Sequence, residues 1–551
     1  MHPRCKVSTA SNVIKASKSL LLGATLACFA ADASQIAVAQ KAPETASMPA
    51  FAPAMIDHAR NMRRYKDPDH GVQHTPPIIN RFIVDRDPKG AIASFQPNGA
   101  TVTSNNAFFK DMGTNGRTCF TCHQPQNGWS VSARDVAERF EKSAGNDPIF
   151  RLVDGATCPS DDVSSLRAKK RAYKLLTEKG LIRVGLAIPA TAEFALTAVD
   201  DPYSCTTKPE TGSGILSMYR RPLPVANIKY LSTVMWDGRE STPNGGLESD
   251  LRTQARDATL THAQAATSPT DAQLAEIVAF QTGIFTAQIF DNKAKFLTGD
   301  NATGGPIALA SQEFFIGIND PLGLNPKEIQ FTSQIFDLYR PWLSAGGPND
   351  HGGHGTPMAT EDLLKRINIT DGWRFDDRER DMVSEHRRSV ARGEELFNNT
   401  KIAITGVAGL NDDLKVDRID GFCGTCHDSP NIGHHSVRAP LDIGVPDAGE
   451  KKPPVLDIAG LPVFTLTCTQ GLLAGQVYKV TDPGRAMITG KCKDIGRFKG
   501  PILRGLAARA PYFHNGSAAN LRDVVDFYDQ RFNVGFTHKQ KTDLVNFLNT
   551  L

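Results

Sequence analysis

The sequence predicts a mainly α-helical chain in two domains, with loop-rich insertions. Three observations carry that reading. The chain has 551 residues, more than one hydrophobic core ordinarily organises. A five-residue cysteine–histidine pattern occurs twice, once in each half. Each half also holds a segment with apolar residues three and four apart, the spacing of an amphipathic helix. These are Leu274, Ile277, Val278, Phe280 and Ile284 in the first half, and Leu544, Val545, Phe547, Leu548 and Leu551 in the second.

From the N-terminus, residues 1–39 read as a secretory leader. A basic stretch ends at Lys18, an apolar run covers Leu20 to Ala30, and Ala37-Val38-Ala39 offers a cleavage site. The run is too short to span a bilayer. Cys28 does not make it a lipoprotein leader, because Thr25 replaces the aliphatic residue expected three places earlier. The leader holds Arg4, Lys6, Lys15 and Lys18 against Asp32, which accounts for the whole formal charge of +3. The remainder is neutral, so no basic stripe points to nucleic acid. No later stretch is long and apolar enough for a membrane span. A periplasmic or secreted protein is expected.

Two patterns follow, Cys119-Phe120-Thr121-Cys122-His123 and Cys423-Gly424-Thr425-Cys426-His427. C-x-x-C-H is the attachment pattern of c-type haem. Two thiols reach the two vinyl groups of one porphyrin, and the next residue sets an imidazole under the iron. With 10 Cys and 14 His in the chain, composition alone yields about 0.005 such patterns, so two by accident is excluded. The expected cofactors are two covalently bound haems c, on Cys119, Cys122 and His123 and on Cys423, Cys426 and His427. Cys158, Cys205, Cys468 and Cys492 remain. In an oxidising compartment they predict two disulfides, and proximity favours Cys158–Cys205 and Cys468–Cys492 among three pairings.

The fold class is therefore two cytochrome c-type haem domains, mainly α, over 40–384 and 385–551. The segment Arg392-Gly393-Glu394-Glu395-Leu396-Phe397 reads as the first helix of the second domain. The Gly/Pro/Asn-rich stretch with His351 and His354 reads as a solvated loop rather than a metal site.

Further residues carry a resemblance. The second half contains Arg504-Gly505-Leu506, then Ala510-Pro511-Tyr512-Phe513-His514-Asn515-Gly516, then Leu521, Val524, Val525 and Tyr528. The first contains Met235-Trp236-Asp237-Gly238-Arg239-Glu240, then Leu251 and Gln254-Ala255. With two C-x-x-C-H sites in this order, the chain resembles the bacterial di-haem cytochrome c peroxidase and MauG family. The likeness lies in 117–129, 220–255, 392–427 and 499–551; 130–215 and 285–385 look like insertions.

The resemblance implies that peroxide or oxygen meets iron at the His123 haem, and that the His427 haem passes electrons from a small redox protein, a cytochrome c or cupredoxin. It implies that Trp236 lies between the haems and that Arg239 pairs with a haem propionate or a carboxylate. Many relatives close the first haem with a removable histidine, yet no His occurs from 124 to 261. An open first haem is expected. Gln254 matches a distal-pocket Gln. The family's distal Glu falls near Gln264, which cannot trade a proton, whereas His262 two places away can. Tyr528 stands where relatives place a Met or Tyr on the second iron, with Met487 and His514 as rivals. A calcium between the haems is disfavoured, because Arg221 falls where the family has a ligating Asn. The leading expectation is a peroxidase or MauG-like oxidase. The alternatives are a di-haem oxygenase on an apolar substrate and a plain electron carrier.

Overall fold

In the computed structural model, which describes residues 75–206, 214–242, 245–344, 377–450 and 452–551, Gly393 lies where two helices touch. The helix Asp377–Asn399 packs on the C-terminal helix His538–Leu548. A Cβ on Gly393 would come within 2.1 Å of the Asp543 carbonyl oxygen, so only glycine allows this approach. Phe336, Phe397 and Phe547 pack edge to face beside it. Glu394 accepts from the Leu338 and Tyr339 amides at 2.6 and 3.0 Å, which ties the preceding loop to this core. The leader and the His351/His354 stretch lie outside the described residues.

In the first half, the helix Asp271–Gly283 begins at a capping box of Thr270 and Gln273. It packs Leu274, Ile277 and Phe280 against Phe108, Phe120 and Trp129. Both helices expected from the apolar spacing are present.

The expectation of a mainly α chain is not met. Helix makes up 32% and strand 17% of the described residues, and their strands form five small sheets. One hairpin pairs Phe82–Asp87 with Gly90–Phe95, and Phe285–Asp291 adds to it. Every residue of Phe285–Asp291 is buried. Two of its polar members bond inside: Gln288 donates to Asp87 and Thr286 to the Ala93 carbonyl, at 2.7 and 2.9 Å. A strand covered on both faces shows no alternation, and this one follows directly on a helix.

A second sheet joins distant parts of the chain. Val463–Cys468 pairs antiparallel with Val477–Val480 on one side and Phe194–Asp200 on the other. Disulfides Cys158–Cys205 and Cys468–Cys492 brace this region, as proximity favoured. Phe194–Asp200 and Val463–Cys468 lie hundreds of residues apart, so no local pattern announces their pairing. Among the described residues, no helix is long and apolar enough to cross a membrane.

Candidate functional site

Each C-x-x-C-H motif is a single tight turn at the wall of its own cavity. Cys119–Cys122 is one helical turn, closed by a capping box of Thr118 and Thr121. Cys423–Thr425 is the equivalent 3-10 turn, with Thr425 Oγ1 accepting from the Phe422 amide at 3.0 Å. All four cysteines are free of disulfides. His123 Nδ1 lies 3.0 Å from the Trp129 carbonyl, and His427 Nδ1 lies 2.8 Å from the Gly433 carbonyl. A carbonyl only accepts, so Nδ1 carries the hydrogen and Nε2 keeps its lone pair. Burial lowers both imidazoles to about 4, which keeps them neutral. Two thiols and one neutral imidazole nitrogen beside each cavity fit the demands of haem c.

The two cavities share a wall made of Arg221, Pro222, Leu223, Pro224 and Trp236. Trp236 donates from Nε1 to the Arg221 carbonyl at 2.8 Å. Its ring meets His514 edge-on at 6.2 Å, and His514 stacks on Phe498 at 3.8 Å. The next residue, Asp237, is fully buried and pairs with Arg220, which also grips Asp482 at 2.6 Å. The tryptophan turn is thereby bolted to the second half.

Cations crowd this wall. Lys499 and Arg221 are buried and Arg509 is half-buried, all three without an acidic partner among the described residues. Burial pushes Lys499 down to about 7, Arg221 to about 9 and Arg509 to about 10. Such a cluster suits an anionic guest, and porphyrin propionates supply that charge. Arg221 donates to the carbonyls of Lys179, Gly180, Val131 and Arg509. It is a donor-only group where the resemblance would put a calcium ligand.

The first cavity is the more polar. Gln254, His262 and Arg239 line it with His123. Arg239 pairs with Asp237 at 3.1 Å. His262 pairs through Nδ1 with Asp154. Gln264 is not among the lining residues; its Oε1 accepts from Asn115 Nδ2 at 3.2 Å.

The second cavity is lined by aliphatic and aromatic side chains, among them Ile402, Ile404, Leu441, Val445 and Phe532. Tyr528 reaches it from the helix Leu521–Phe532, and burial pushes its phenol well above the ordinary value. His514 lines it too, with Nε2 unpartnered. Met487 lies elsewhere, packed with Phe194, Phe464 and Leu466. Sequence reasoning missed Asp154, Lys499 and the Arg220–Asp482 pair. None belongs to a motif, and only the folded chain brings them to the cavities.

No family model matches the chain. Curated relatives match part of it. A cytochrome-c peroxidase named IdrP2 from Denitromonas iodatirespirans is 33% identical over 140 residues, covering 24% of this chain and 36% of that protein. One named IdrP1 from a Pseudomonas species is 29% identical over 143 residues, covering 23% and 36%. A cytochrome c551 peroxidase of Nitrosomonas europaea is 27% identical over 146 residues, covering 25% and 35%. The chain thus spans about a third of the length of these relatives. A solved MauG-like protein associated with microbial copper homeostasis aligns over 82% of this chain and 87% of its own, at 14% identity and a TM-score of 0.30.

Proposed function

We propose that this chain, a relative of the bacterial di-haem cytochrome c peroxidases, is an exported haem oxidoreductase that reduces hydrogen peroxide at its first cavity with electrons delivered through its second. The observation that carries this is the paired cavity. Two C-x-x-C-H turns each aim a bare imidazole nitrogen into a pocket, and the pockets share Trp236.

Cys119, Cys122 and His123 would hold the peroxide-facing haem, within residues 40–384. Cys423, Cys426 and His427 would hold the electron-transfer haem, within 385–551, and Tyr528 would offer its phenol oxygen as a further iron ligand. When bound, the haems supply the redox centre for the net conversion of H2O2, two protons and two electrons into two waters. The protein does the rest. His262 moves a proton between the peroxide oxygens, with Gln254 beside it. The aliphatic wall of the second cavity keeps water from its redox centre. Trp236 bridges the cavities as a stepping stone for electrons. Lys499, Arg221 and Arg509 neutralise the propionates. The donor is a small redox protein, and the two disulfides suit the oxidising compartment where such donors work.

Intact mass and stopped-flow spectroscopy test this. The mature chain should carry the mass of two haems, and haem should stay with the protein in acid-acetone. The ferric holoprotein should change spectrum on mixing with peroxide without prior reduction, because no histidine between 124 and 261 closes the first cavity. A single haem, or a response only after one-electron reduction, would overturn the reading.

A further inference from the structure

We infer that Asp154, anchored by Arg117, is a positioning residue that fixes His262 as a proton acceptor facing the first cavity; this rests on peroxide reduction there. Asp154 comes from the insertion 130–215, outside every motif.

Three observations converge. First, His262 Nδ1 is bonded to Asp154 Oδ2, while Arg117 Nη1 holds Asp154 Oδ1 at 2.6 Å. Both Asp154 and Arg117 are buried, at 5% and 4% exposure. Second, Arg117 is itself pinned, donating to the Pro148 and Ile149 carbonyls at 2.9 and 2.7 Å. It stands two residues before Cys119, so one guanidinium links the attachment turn to the carboxylate. Third, the backbone at His262 is also held. Its carbonyl accepts from Asn115 Nδ2 at 2.8 Å and from Arg117 Nη1 at 3.2 Å. The residue caps the helix Leu247–Thr261, which also carries Gln254.

The chemistry follows from what a carboxylate does. Burial opposes the charge on Asp154, but Arg117 and the bond to His262 outweigh it and hold the carboxyl below its ordinary range. An ionised carboxylate only accepts. In the neutral imidazole the hydrogen is therefore held on Nδ1, and Nε2 keeps its lone pair. His262 lines the cavity while part of its ring, 38% exposed, reaches solvent. Nε2 accepts the proton from one peroxide oxygen and delivers it to the other. That oxygen then leaves as water with the O–O bonding pair. The oxygen left behind takes up two electrons, supplied by the donor protein, and two protons from solvent to become the second water. Loss of an oriented base costs about 10² to 10⁴-fold in such steps. Loss of the carboxylate that keeps the imidazole hydrogen on Nδ1 removes the same base, so its cost is of the same order.

The experiment uses the holoprotein and Asp154→Asn, with three readouts. An amide can donate to Nδ1, which moves the imidazole hydrogen to Nε2, where it can bond a bound ligand. The C–O stretching band of the ferrous carbon monoxide complex should therefore move to lower frequency in Asp154→Asn. Cyanide arrives as HCN and must lose a proton, so its association with the ferric protein should slow in Asp154→Asn and in His262→Gln. The peroxide reaction should slow by about 10² to 10⁴-fold in Asp154→Asn. An unchanged band with an unchanged cyanide rate overturns the assignment and leaves Asp154 an ordinary ion-pair partner. If Asp154→Asn fails to accumulate, Asp154→Glu keeps the charge, displaces the carboxylate, and should also shift the band. A wild-type holoprotein inert to peroxide would sink the proposed function. The carbon monoxide band and cyanide rates would still decide the role of Asp154.

Discussion

The two cavities are built alike on the imidazole side and differently on the other. Both set a histidine after a capped cysteine turn and anchor Nδ1 on a carbonyl six residues ahead. Beyond that common part, the first cavity gathers Gln254, Arg239 and the His262–Asp154 pair, whereas the second is walled by Ile402, Ile404, Leu441 and Phe532. Polar groups that can exchange protons suit bond cleavage. An apolar wall suits a centre that only changes charge, because it leaves little solvent to reorganise. The difference teaches that the shared motif sets where iron would sit, and that the rest of each wall sets what it can do.

The comparison breaks most completely at the histidines. His123→Gly should abolish the peroxide reaction. His427→Gly should leave the first encounter with peroxide intact but stop turnover with an electron donor. Stopped-flow spectra and steady-state assays separate the two, and equal loss of the first encounter in both variants would erase the division of labour.

Next comes the shared wall. Trp236→Phe should leave peroxide binding unchanged and slow the sharing of oxidising equivalents between the cavities. Unaltered sharing would move the route elsewhere, with the stacked His514 and Phe498 as the first suspects.

A narrower effect is expected at Tyr528. Tyr528→Phe should convert a low-spin ferric EPR signal to high-spin at the second centre and leave the first unaffected. The same conversion in His514→Leu, but not in Tyr528→Phe, would reassign the sixth ligand.

The smallest effect is in pH-dependent stability, where two aspartates should behave oppositely. Asp154 has a lowered folded pKa. Its charge stabilises above the ordinary carboxylate pKa, and that contribution is lost as pH falls through the folded value. Asp442, between the second-cavity residues Leu441 and Ile443, is raised to about 7, chiefly by burial and then by Asp447. The folded state there binds the extra proton, so its contribution is present below the ordinary value and lost as pH rises through about 7. Denaturation curves of Asp154→Asn and Asp442→Asn against wild type should diverge in opposite directions with pH. Parallel curves would refute both assignments.

Much of the site was legible in the sequence, for a chemical reason. Haem attachment needs two thiols and an imidazole within five consecutive residues, so the requirement is written locally. The helices were legible too, because an amphipathic helix shows its buried face within a few turns. The strands were not. Phe285–Asp291 buries both faces and hides Thr286 and Gln288 in internal hydrogen bonds. Val463–Cys468 finds one of its partners in Phe194–Asp200, far back in the chain.

The sequence by itself determined the two C-x-x-C-H turns, the closing helices, Trp236 as a candidate bridge and the missing histidine between 124 and 261. Only the tertiary structure decided which groups face each cavity. It took Met487 away to another core, left Gln264 outside the lining, and brought Asp154 onto His262 across more than a hundred residues. Hydrogen bonds and ion pairs between distant residues cost loop-closure entropy and are repaid only when the whole fold closes. Their partners leave no spacing to read along the chain.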